Sequence, residues 1–285
     1  MKKRKLLIWL FSLIVFFSSC SPHKNKEQIT ILFTNDLQAR VLAYPKNRGG
    51  MARIATVVNK IKKENPNTIL LDAGDASVGS AFATETRGEA IYQIMNAVGY
   101  NASVYGNHEF DLGAEQAKKY QQVAHFPLLA CNIRDEQGKS FAQEYAIFKL
   151  GSLKLAVVGV ANPHTPNLVD QSRIRGLKFL PPESEIRRVQ HELSSKADLI
   201  ILLTHQGIDE DTSLAWRIEG IPLIIGGHSE IKINGFRKVR GVLIAQAGHF
   251  GWWLGRIDFL WDAKKKRAYK FRCRLIPMTS KIPED

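Results

Sequence analysis

The sequence predicts an α/β fold with a single domain, and three observations support this prediction. Short apolar, β-branched stretches alternate with segments whose apolar residues recur at helical spacing. No low-complexity linker and no internal repeat divides the chain after Gln28. A chain of 285 residues, 45% of them hydrophobic, can bury one large core. Its 21 Gly, 11 Pro and 3 Cys exclude a collagen-like repeat, disorder and a disulfide scaffold.

The formal net charge of +13 does not by itself indicate a nucleic-acid partner. Four of the positive charges belong to residues 2–5, which we expect to be removed with a signal peptide. Without them, 36 basic residues face 27 acidic ones, and a balance of +9 is too modest to decide the class of partner. We therefore predict no nucleic-acid binding.

The amino terminus has the pattern of a bacterial lipoprotein signal peptide, which we assign to residues 1–19. The apolar run from Leu6 to Phe17 would span about 18 Å as a helix, too short for a membrane core of about 30 Å. Phe17-Ser18-Ser19-Cys20 resembles a lipobox, with Phe17 in the place of the commoner Leu. The pattern predicts that Cys20 is lipidated and that residues 20–27 form a tether.

These features predict an exported protein, held by its lipid on a bacterial membrane and facing the periplasm or the cell surface. The alternative is a plain signal peptide that happens to contain Cys20. Export would permit a disulfide between Cys131 and Cys273, although two free thiols in strands are the simpler interpretation. Neither Cys131 nor Cys273 has a second Cys or His at the spacing of a zinc site.

The elements of the first half follow from their residue types. Runs of β-branched and apolar residues predict strands at 29–33, 68–71 and 102–105. Apolar residues at helical spacing predict helices at 51–64 and 89–98. The first of these helices has lysines on its other face and ends where Asn65-Pro66 interrupts the pattern.

The second half contains more strands. The apolar run at 127–133, which includes Cys131, predicts a buried strand, and so do the apolar runs at 199–203 and 223–225. Consecutive strands are expected near 236–239, 242–247, 252–261 and 267–276. The acidic run at 209–211 is expected only to begin a helix, where negative charge suits the helix dipole.

A polar residue able to bind metal follows an apolar strand five times along the chain. These residues are Asp36, Asp75, Asn107, His205 and His228. Any one of them alone is explained by a turn or a helix cap. Five together predict a site, because α/β folds assemble their sites at the carboxyl ends of strands. The neighbouring glycines would allow the backbone to approach closely there: Gly74, Gly106 and Gly227.

The ordered set of motifs resembles that of the calcineurin-like metallophosphatases, and within them most closely the catalytic domain of bacterial 5′-nucleotidases. The motifs are Thr34-Asn35-Asp36, Leu71-Asp72-Ala73-Gly74-Asp75, Gly106-Asn107-His108-Glu109-Phe110-Asp111, Leu203-Thr204-His205 and Gly226-Gly227-His228-Ser229. The resemblance extends from about residue 28 to residue 262, which is nearly all of the predicted catalytic domain at 28–285.

The resemblance implies a four-layer α/β/β/α sandwich that holds two divalent metal ions. The ligands that it implies are Asp36, Gln38, Asp75 and Glu230 for the first site, and Asp75, Asn107, His205 and His228 for the second. Asp75 would thus bridge both ions. Two such ions would generate a bound hydroxide and neutralise the charge of a phosphoryl group under attack.

The resemblance also implies a catalytic dyad of His108 and Asp111. His108 would stabilise the phosphoryl group or protonate the leaving oxygen, and Asp111 would orient it. A carboxylate beside an imidazole favours its protonated form, as this role requires.

Two positions of the first site depart from the family pattern. Gln38 stands where the family usually has His, and Glu230 stands where it has His or Gln. The first site would therefore contain only oxygen-preferring ligands, which favours Mn²⁺ or Mg²⁺ over Zn²⁺ or Fe. The alternative is that this site has decayed and binds metal poorly.

The function expected from the resemblance is hydrolysis of nucleotides or related phosphomonoesters by an exported, lipid-anchored enzyme. After residue 262 too few residues remain for the separate nucleotide-recognition domain of 5′-nucleotidases. We therefore expect a catalytic domain alone, with a separately encoded partner, a non-nucleotide ester substrate or low selectivity as open explanations. The alternative is a catalytically weak metal-binding subunit.

His164 and His249 lie near motifs but match no ligand position, so we assign them no role.

Overall fold

The structure, a computed structural model, describes residues 26–284. The predicted signal peptide, Cys20 and most of the predicted tether lie outside the described residues. Its strands are β1 Lys26–Thr34, β2 Thr68–Asp72, β3 Ala102–Val104, β4 Leu128–Leu129, β5 Ile133–Arg134, β6 Tyr145–Leu150, β7 Leu153–Val160, β8 Lys178–Phe179, β9 Leu199–Thr204, β10 Leu223–Gly226, β11 Arg237–Val239, β12 Val242–Ala245, β13 Trp253–Asp262 and β14 Arg267–Pro277.

The helices lie between these strands. They are α1 Met51–Glu64, α2 Ala81–Thr86, α3 Glu89–Val98, α4 Ala114–Val123, α5 Thr165–Leu168, α6 Pro182–Leu193 and α7 Ile208–Arg217, with 3₁₀ turns at His108–Phe110 and Gln171–Ile174. The predicted helices at 51–64 and 89–98 are confirmed to the residue. The first strand begins two residues before the predicted domain boundary, at Lys26. In residues 26–284, no helix has both the length and the apolar character needed to cross a membrane.

Two six-stranded sheets form the centre of the molecule. The first has the order β14-β13-β1-β2-β3-β4 and the second the order β11-β12-β10-β9-β7-β6. In each sheet four neighbouring strands are parallel: β1, β2, β3 and β4 in the first, and β7, β9, β10 and β12 in the second. The parallel strands carry their carboxyl ends to one edge of each sheet, where a site can be assembled.

Strand alternation builds the predicted four layers. Ile31 and Phe33 of β1 point into the core between the sheets, where they join Val157 of β7. Leu32, between them in the chain, points to the opposite core beneath α1, α3 and α4. A third core, including Val158, lies beneath α6 and α7. The order of layers is therefore α/β/β/α.

The predicted strand at 127–133 is wrong as a single element. The chain forms β4, turns at Cys131 and Asn132, and then forms β5, which pairs with β8 in a separate two-stranded sheet. The turn is fixed because the buried Asn132 side chain donates to the Ala161 carbonyl at 2.9 Å and accepts the Ala161 N–H at 2.9 Å. Both Cys131 and Cys273 are free thiols, and Cys131 is buried.

Candidate metal centre and active site

The predicted ligands lie in the loops at the carboxyl ends of parallel strands from both sheets. In the first sheet, the loops after β1, β2 and β3 carry Asp36, Asp75 and Asn107. In the second sheet, the loops after β9 and β10 carry His205 and His228. Five separate segments of the chain therefore meet at one edge of the sandwich.

The centre of this site is a cluster of Asp75, His205 and His228. One ligand atom of each lies within 4.8 Å of the others. The Nε2 atom of His205 is 2.9 Å from Asp75 Oδ2 and 4.0 Å from Asp36 Oδ1. The Nδ1 atom of His205 lies 2.6 Å from the Ala73 carbonyl oxygen, to which it donates, so Nε2 is the nitrogen left for a ligand.

Two buried atoms test whether this cluster fits a metal ion. The Nε2 atom of His205 and the Oδ1 atom of Asn107 are shielded from solvent and have no hydrogen-bond partner among the described residues. An unpartnered buried polar atom is costly, and a cation would satisfy both of these atoms. Both atoms belong to residues that the family pattern assigns to ligation, so these residues fit a divalent ion.

The backbone is strained at five of the seven predicted ligands. Each has a positive φ in the left-handed region, which non-glycine residues rarely adopt. These residues are Asp36 with φ 52°, Gln38 with φ 45°, Asp75 with φ 56°, His228 with φ 74° and Glu230 with φ 54°. Five of the thirteen non-glycine residues with positive φ in the described chain are thus predicted ligands, which supports a functional reason for their placement.

Glycines permit the close approach of the loops, as predicted. A β-carbon on Gly106 would lie 2.1 Å from Asp75 Oδ1, and one on Gly227 would lie 2.4 Å from the Ala73 carbonyl oxygen. A β-carbon on Gly74 would lie 2.6 Å from His205 Nδ1. No side chain fits at these three positions without moving the predicted ligands.

A buried carboxylate without a predicted role, that of Glu109, organises the loop that carries Asp75. Its two oxygens accept N–H groups of Asp75 at 3.0 Å, Ala76 at 2.9 Å, Ser77 at 3.1 Å and Gly106 at 2.7 Å. Burial raises the pKa of Glu109, although these hydrogen bonds favour its charged form. Its place in the Asn-His-Glu sequence was the only available signal.

The ionisable groups of the cluster shift one another's pKa values. Burial raises the pKa of Asp36 to about 7. Burial opposes a charged His205, but the carboxylates of Asp75 and Asp36 outweigh it and raise the pKa of His205 to about 10. Burial and the charge of His205 lower the pKa of His228. The anionic surroundings thus favour a positive charge at this point, whether a proton or a metal ion.

His108 and Asp111 form the predicted pair beside the cluster. His108 Nδ1 is 2.8 Å from Asp111 Oδ2, and the His108 backbone N–H donates to Asp75 Oδ1 at 2.9 Å. The hydrogen bond that His108 donates to Asp111 raises the pKa of His108 to about 9. The His108 side chain is 43% exposed, so its free edge is accessible to a substrate.

Gln38 and Glu230, the two residues that depart from the family pattern, contact each other. Gln38 Nε2 donates to Glu230 Oε1 at 2.6 Å, so the Gln38 carbonyl oxygen remains as its ligating atom. On the other side of the same carboxylate, His249 Nδ1 lies 2.9 Å from Glu230 Oε2. The structure therefore brings His249, to which the sequence assigns no role, into contact with a predicted ligand of the first site. His164 instead faces Glu210 at 3.6 Å.

The fold and the site together define a metallophosphatase-type α/β sandwich. The sequence profile of the calcineurin-like phosphoesterases matches residues 29–230, and the chain belongs to this family. Divalent metal ions are implied by the family, and the cluster of Asp75, His205 and His228 fits them. The resemblance inferred from the motifs is thereby confirmed.

Relatives of this chain include 5′-nucleotidases. That of Bos taurus is 30% identical over 302 residues, which cover 93% of this chain and 52% of the bovine one. The trifunctional nucleotide phosphoesterase protein YfkN of Bacillus subtilis is 29% identical over 85% of this chain and 19% of its own. The chain spans about half the length of the 5′-nucleotidases that it matches.

Solved structures share the fold. A 5′-nucleotidase precursor from Thermus thermophilus matches with a TM-score of 0.82 at 26% identity, over 90% of this chain and 56% of that one. The sulfate thiohydrolase SoxB of the same species matches with a TM-score of 0.83 at 24% identity, over 90% of this chain and 58% of that one. The second likeness concerns the fold alone.

Proposed function

We propose that this protein is a metal-dependent hydrolase of nucleotides or related phosphomonoesters. The observation that carries the proposal is the convergence of Asp75, His205 and His228 within 4.8 Å beside an accessible His108. Membership of the calcineurin-like phosphoesterases supports the reaction class, and the similarity to 5′-nucleotidases supports nucleotides as substrates.

We assign the chain's own residues to two adjacent positions for divalent ions. Asp75 would be shared, Asn107, His205 and His228 would complete one position, and Asp36, Gln38 and Glu230 would complete the other. When bound, such a pair of ions neutralises phosphoryl charge and activates water at neutral pH. The ligand loops are fixed in advance, since the Asp36 carboxylate accepts the His228 backbone N–H at 3.0 Å.

His108 supplies the proton-bearing group. Its pKa of about 9 keeps the ring charged at neutral pH, with Nδ1 directed at Asp111. The other nitrogen, Nε2, is then a donor that can hold a phosphoryl oxygen or protonate the oxygen of the leaving alcohol. Asp111 acts through His108 by holding its orientation and its charge.

The first position favours Mn²⁺ or Mg²⁺, because carboxylate and amide oxygens of Asp36, Gln38, Asp75 and Glu230 prefer hard cations. Metal analysis under Mn²⁺ or Mg²⁺ saturation tests this assignment, and two ions per chain are expected. Retention of at most one ion would contradict a working first position. It would favour the alternative of a metal-binding subunit, which the Gln38–Glu230 hydrogen bond also allows.

Phosphate release by the purified protein tests the reaction. Nucleoside 5′-monophosphates, an aryl phosphate and a cyclic phosphodiester are compared with Mn²⁺ present. Faster release from the nucleotides than from the aryl phosphate is expected. Equal rates would indicate a catalytic domain of low selectivity, and release from the diester alone would contradict phosphomonoester hydrolysis. His125→Asn, at an exposed histidine away from the site, is the matched control for His108→Asn.

We further propose that the protein is exported and held on a membrane by a lipid on Cys20. The basic and apolar amino-terminal pattern supports the anchor. Labelling of producing cells with a radioactive fatty acid tests it. Incorporation into the full chain that is lost in Cys20→Ala is expected, and equal labelling of both chains would contradict lipidation at Cys20.

A further inference from the structure

The His249 imidazole contacts Glu230, one of the predicted ligands of the first metal ion. It lies in the loop after β12, which is parallel to β10 in the second sheet. Its Nδ1 atom lies 2.9 Å from Glu230 Oε2. That nitrogen is shielded from solvent and makes no hydrogen bond with any residue in the range 26–284.

A second histidine of the site likewise has a ring nitrogen close to a carboxylate oxygen without a hydrogen bond. His205 Nε2 lies 2.9 Å from Asp75 Oδ2 and is likewise buried without a hydrogen-bond partner in the described chain. Two ligands of one octahedral ion stand about 3 Å apart, with both lone pairs directed at the ion instead of at each other. The pair of His249 and Glu230 has the separation and the unsatisfied nitrogen of such ligands.

The loop of His249 is fixed to the loop of Asp36, so its position is not that of a free surface side chain. Asn35 accepts the Ala247 N–H at 2.7 Å and donates to the Gly248 carbonyl, and the Phe250 N–H donates to the Asp36 carbonyl at 2.8 Å. Phe250 has φ 56°, a strained value directly after His249. The His249 ring also packs on the ring of Trp252, with centroids 4.5 Å apart.

We propose that His249 is a ligand of the first metal ion and supplies, from a different loop, the imidazole that position 38 lacks. The inference rests on the two-metal site of the proposed function. It adds one nitrogen to the oxygens of Asp36, Gln38, Asp75 and Glu230. A nitrogen donor disfavours Mg²⁺ relative to Mn²⁺ and Zn²⁺, so it narrows the metal preference of the first position.

Nuclear magnetic resonance of the ¹⁵N-histidine-labelled protein loaded with ¹¹³Cd²⁺ tests the proposal directly. A one-bond coupling between cadmium and a ring nitrogen appears only where the imidazole is bound to the ion. We expect such couplings at His205, His228 and His249, with none at His108. The His249 resonances are assigned by their loss in His249→Asn, with His125→Asn as the control for spectral change at an exposed histidine.

The outcomes separate this proposal from the proposed function. Couplings at His205 and His228 without one at His249 would overturn the ligand assignment and leave the metal centre in place. Coupling at no imidazole would overturn both. If His249→Asn fails to fold by circular dichroism, His249→Gln provides the assignment, and the wild-type spectrum alone still counts the bound imidazoles.

Metal affinity gives a second readout without activity. Residues that only hydrogen-bond to a metal ligand contribute about 10–100-fold to metal affinity. Loss of a direct ligand is therefore expected to weaken Zn²⁺ binding at one of the two sites about 100-fold. Calorimetric titration of His249→Asn should show this loss at one site, with the other unchanged and with a smaller loss for Mg²⁺. Unchanged Zn²⁺ affinity at both sites would overturn the proposal.

Discussion

The buried carboxylate of Glu109 accepts the backbone N–H of Asp75 at 3.0 Å. Through this hydrogen bond, a residue to which we assign no ligand role fixes the residue at the centre of the candidate metal site. The same carboxylate oxygen accepts the Gly106 N–H at 2.7 Å, so it also ties the loop after β2 to the loop after β3. The left-handed backbone of Asp75 is held in place by this anchor.

Glu109→Gln is therefore expected to destabilise the protein more than its small change in shape suggests. The amide NH₂ group would face two or more backbone N–H donors in a buried site, which leaves them unsatisfied. The free energy of unfolding should fall by about 3 kcal/mol, measured by urea denaturation. Glu115→Gln, on the exposed surface of α4, should change it by less than about 0.5 kcal/mol. Equal effects of the two substitutions would refute the anchoring role.

His108→Asn is expected to lower kcat by about 10²–10⁴-fold with little change in KM, because a donor to the leaving oxygen acts mainly in the transition state. Steady-state kinetics with a nucleoside 5′-monophosphate measures this effect. His125→Asn should have the kinetics of the unchanged protein. A rise in KM with unchanged kcat in His108→Asn would show that His108 only binds substrate.

We also expect the charge of the His108 ring to change with pH. Its folded pKa of about 9 is above the ordinary value, so the ring is charged at neutral pH and loses its proton as pH rises through about 9. Asp111→Asn removes the largest cause of this shift and should move the His108 midpoint toward about 6.5. Proton resonances of the ring in metal-free protein report the midpoint. A midpoint that does not move would mean that Asp111 does not sustain the charge.

Gly227→Ala should disturb the second metal position. Its β-carbon would meet the Ala73 carbonyl oxygen at 2.4 Å and His205 Nδ1 at 2.8 Å, so the loop or the imidazole must move. We expect affinity for one metal ion to fall at least about tenfold, as measured by titration against a chelating dye. Gly235→Ala, where nothing lies within 4 Å but φ is 89°, should lower the stability and leave both metal affinities unchanged. Wild-type affinities in Gly227→Ala would contradict the close packing around Gly227.

Metal binding should release protons in a pH-dependent amount. Metal-free His205, with a pKa of about 10, is positively charged at moderate pH and must lose its extra ring proton to bind a metal ion. Asp36, with a pKa of about 7, gains a proton as pH falls. Binding should therefore release about one proton at pH 8 from these groups and about two at pH 6. Calorimetry in buffers of different ionisation enthalpy counts them. The increase at pH 6 should disappear in Asp36→Asn, and its persistence there would exclude Asp36 as the source.

Much of this molecule could be predicted from local pattern. The helix at 51–64 was predictable because its apolar residues recur at helical spacing and Asn65-Pro66 ends it. The strand ends that carry Asp36, Asp75 and His205 were predictable because turn, glycine and ligand residues follow uninterrupted apolar runs. The four-layer arrangement required the family resemblance, since strand order in a sheet is not contained in periodicity.

What the sequence did not predict depends on contacts between distant segments. Glutamate is usually found on the surface, and only the fold shows that Glu109 is buried among backbone N–H groups. Asp211 lies in the acidic run expected only to begin a helix, but it is fully buried and accepts the Thr204 hydroxyl at 2.8 Å, and burial raises its pKa to about 7. His249 meets Glu230 only because β10 and β12 are neighbours.

Metal-dependent phosphate release by the purified protein tests the central claim most directly. The protein is stripped of metal, then supplied with Mn²⁺, Mg²⁺ or Zn²⁺ and a nucleoside 5′-monophosphate. Asp75→Asn is compared with Asp209→Asn, an identical change at an exposed position of α7. We expect release that requires added metal, persists in Asp209→Asn and falls by at least about 10³-fold in Asp75→Asn. Release that needs no metal, or that survives in Asp75→Asn, would contradict the account, as would a folded protein that is inactive with every ion.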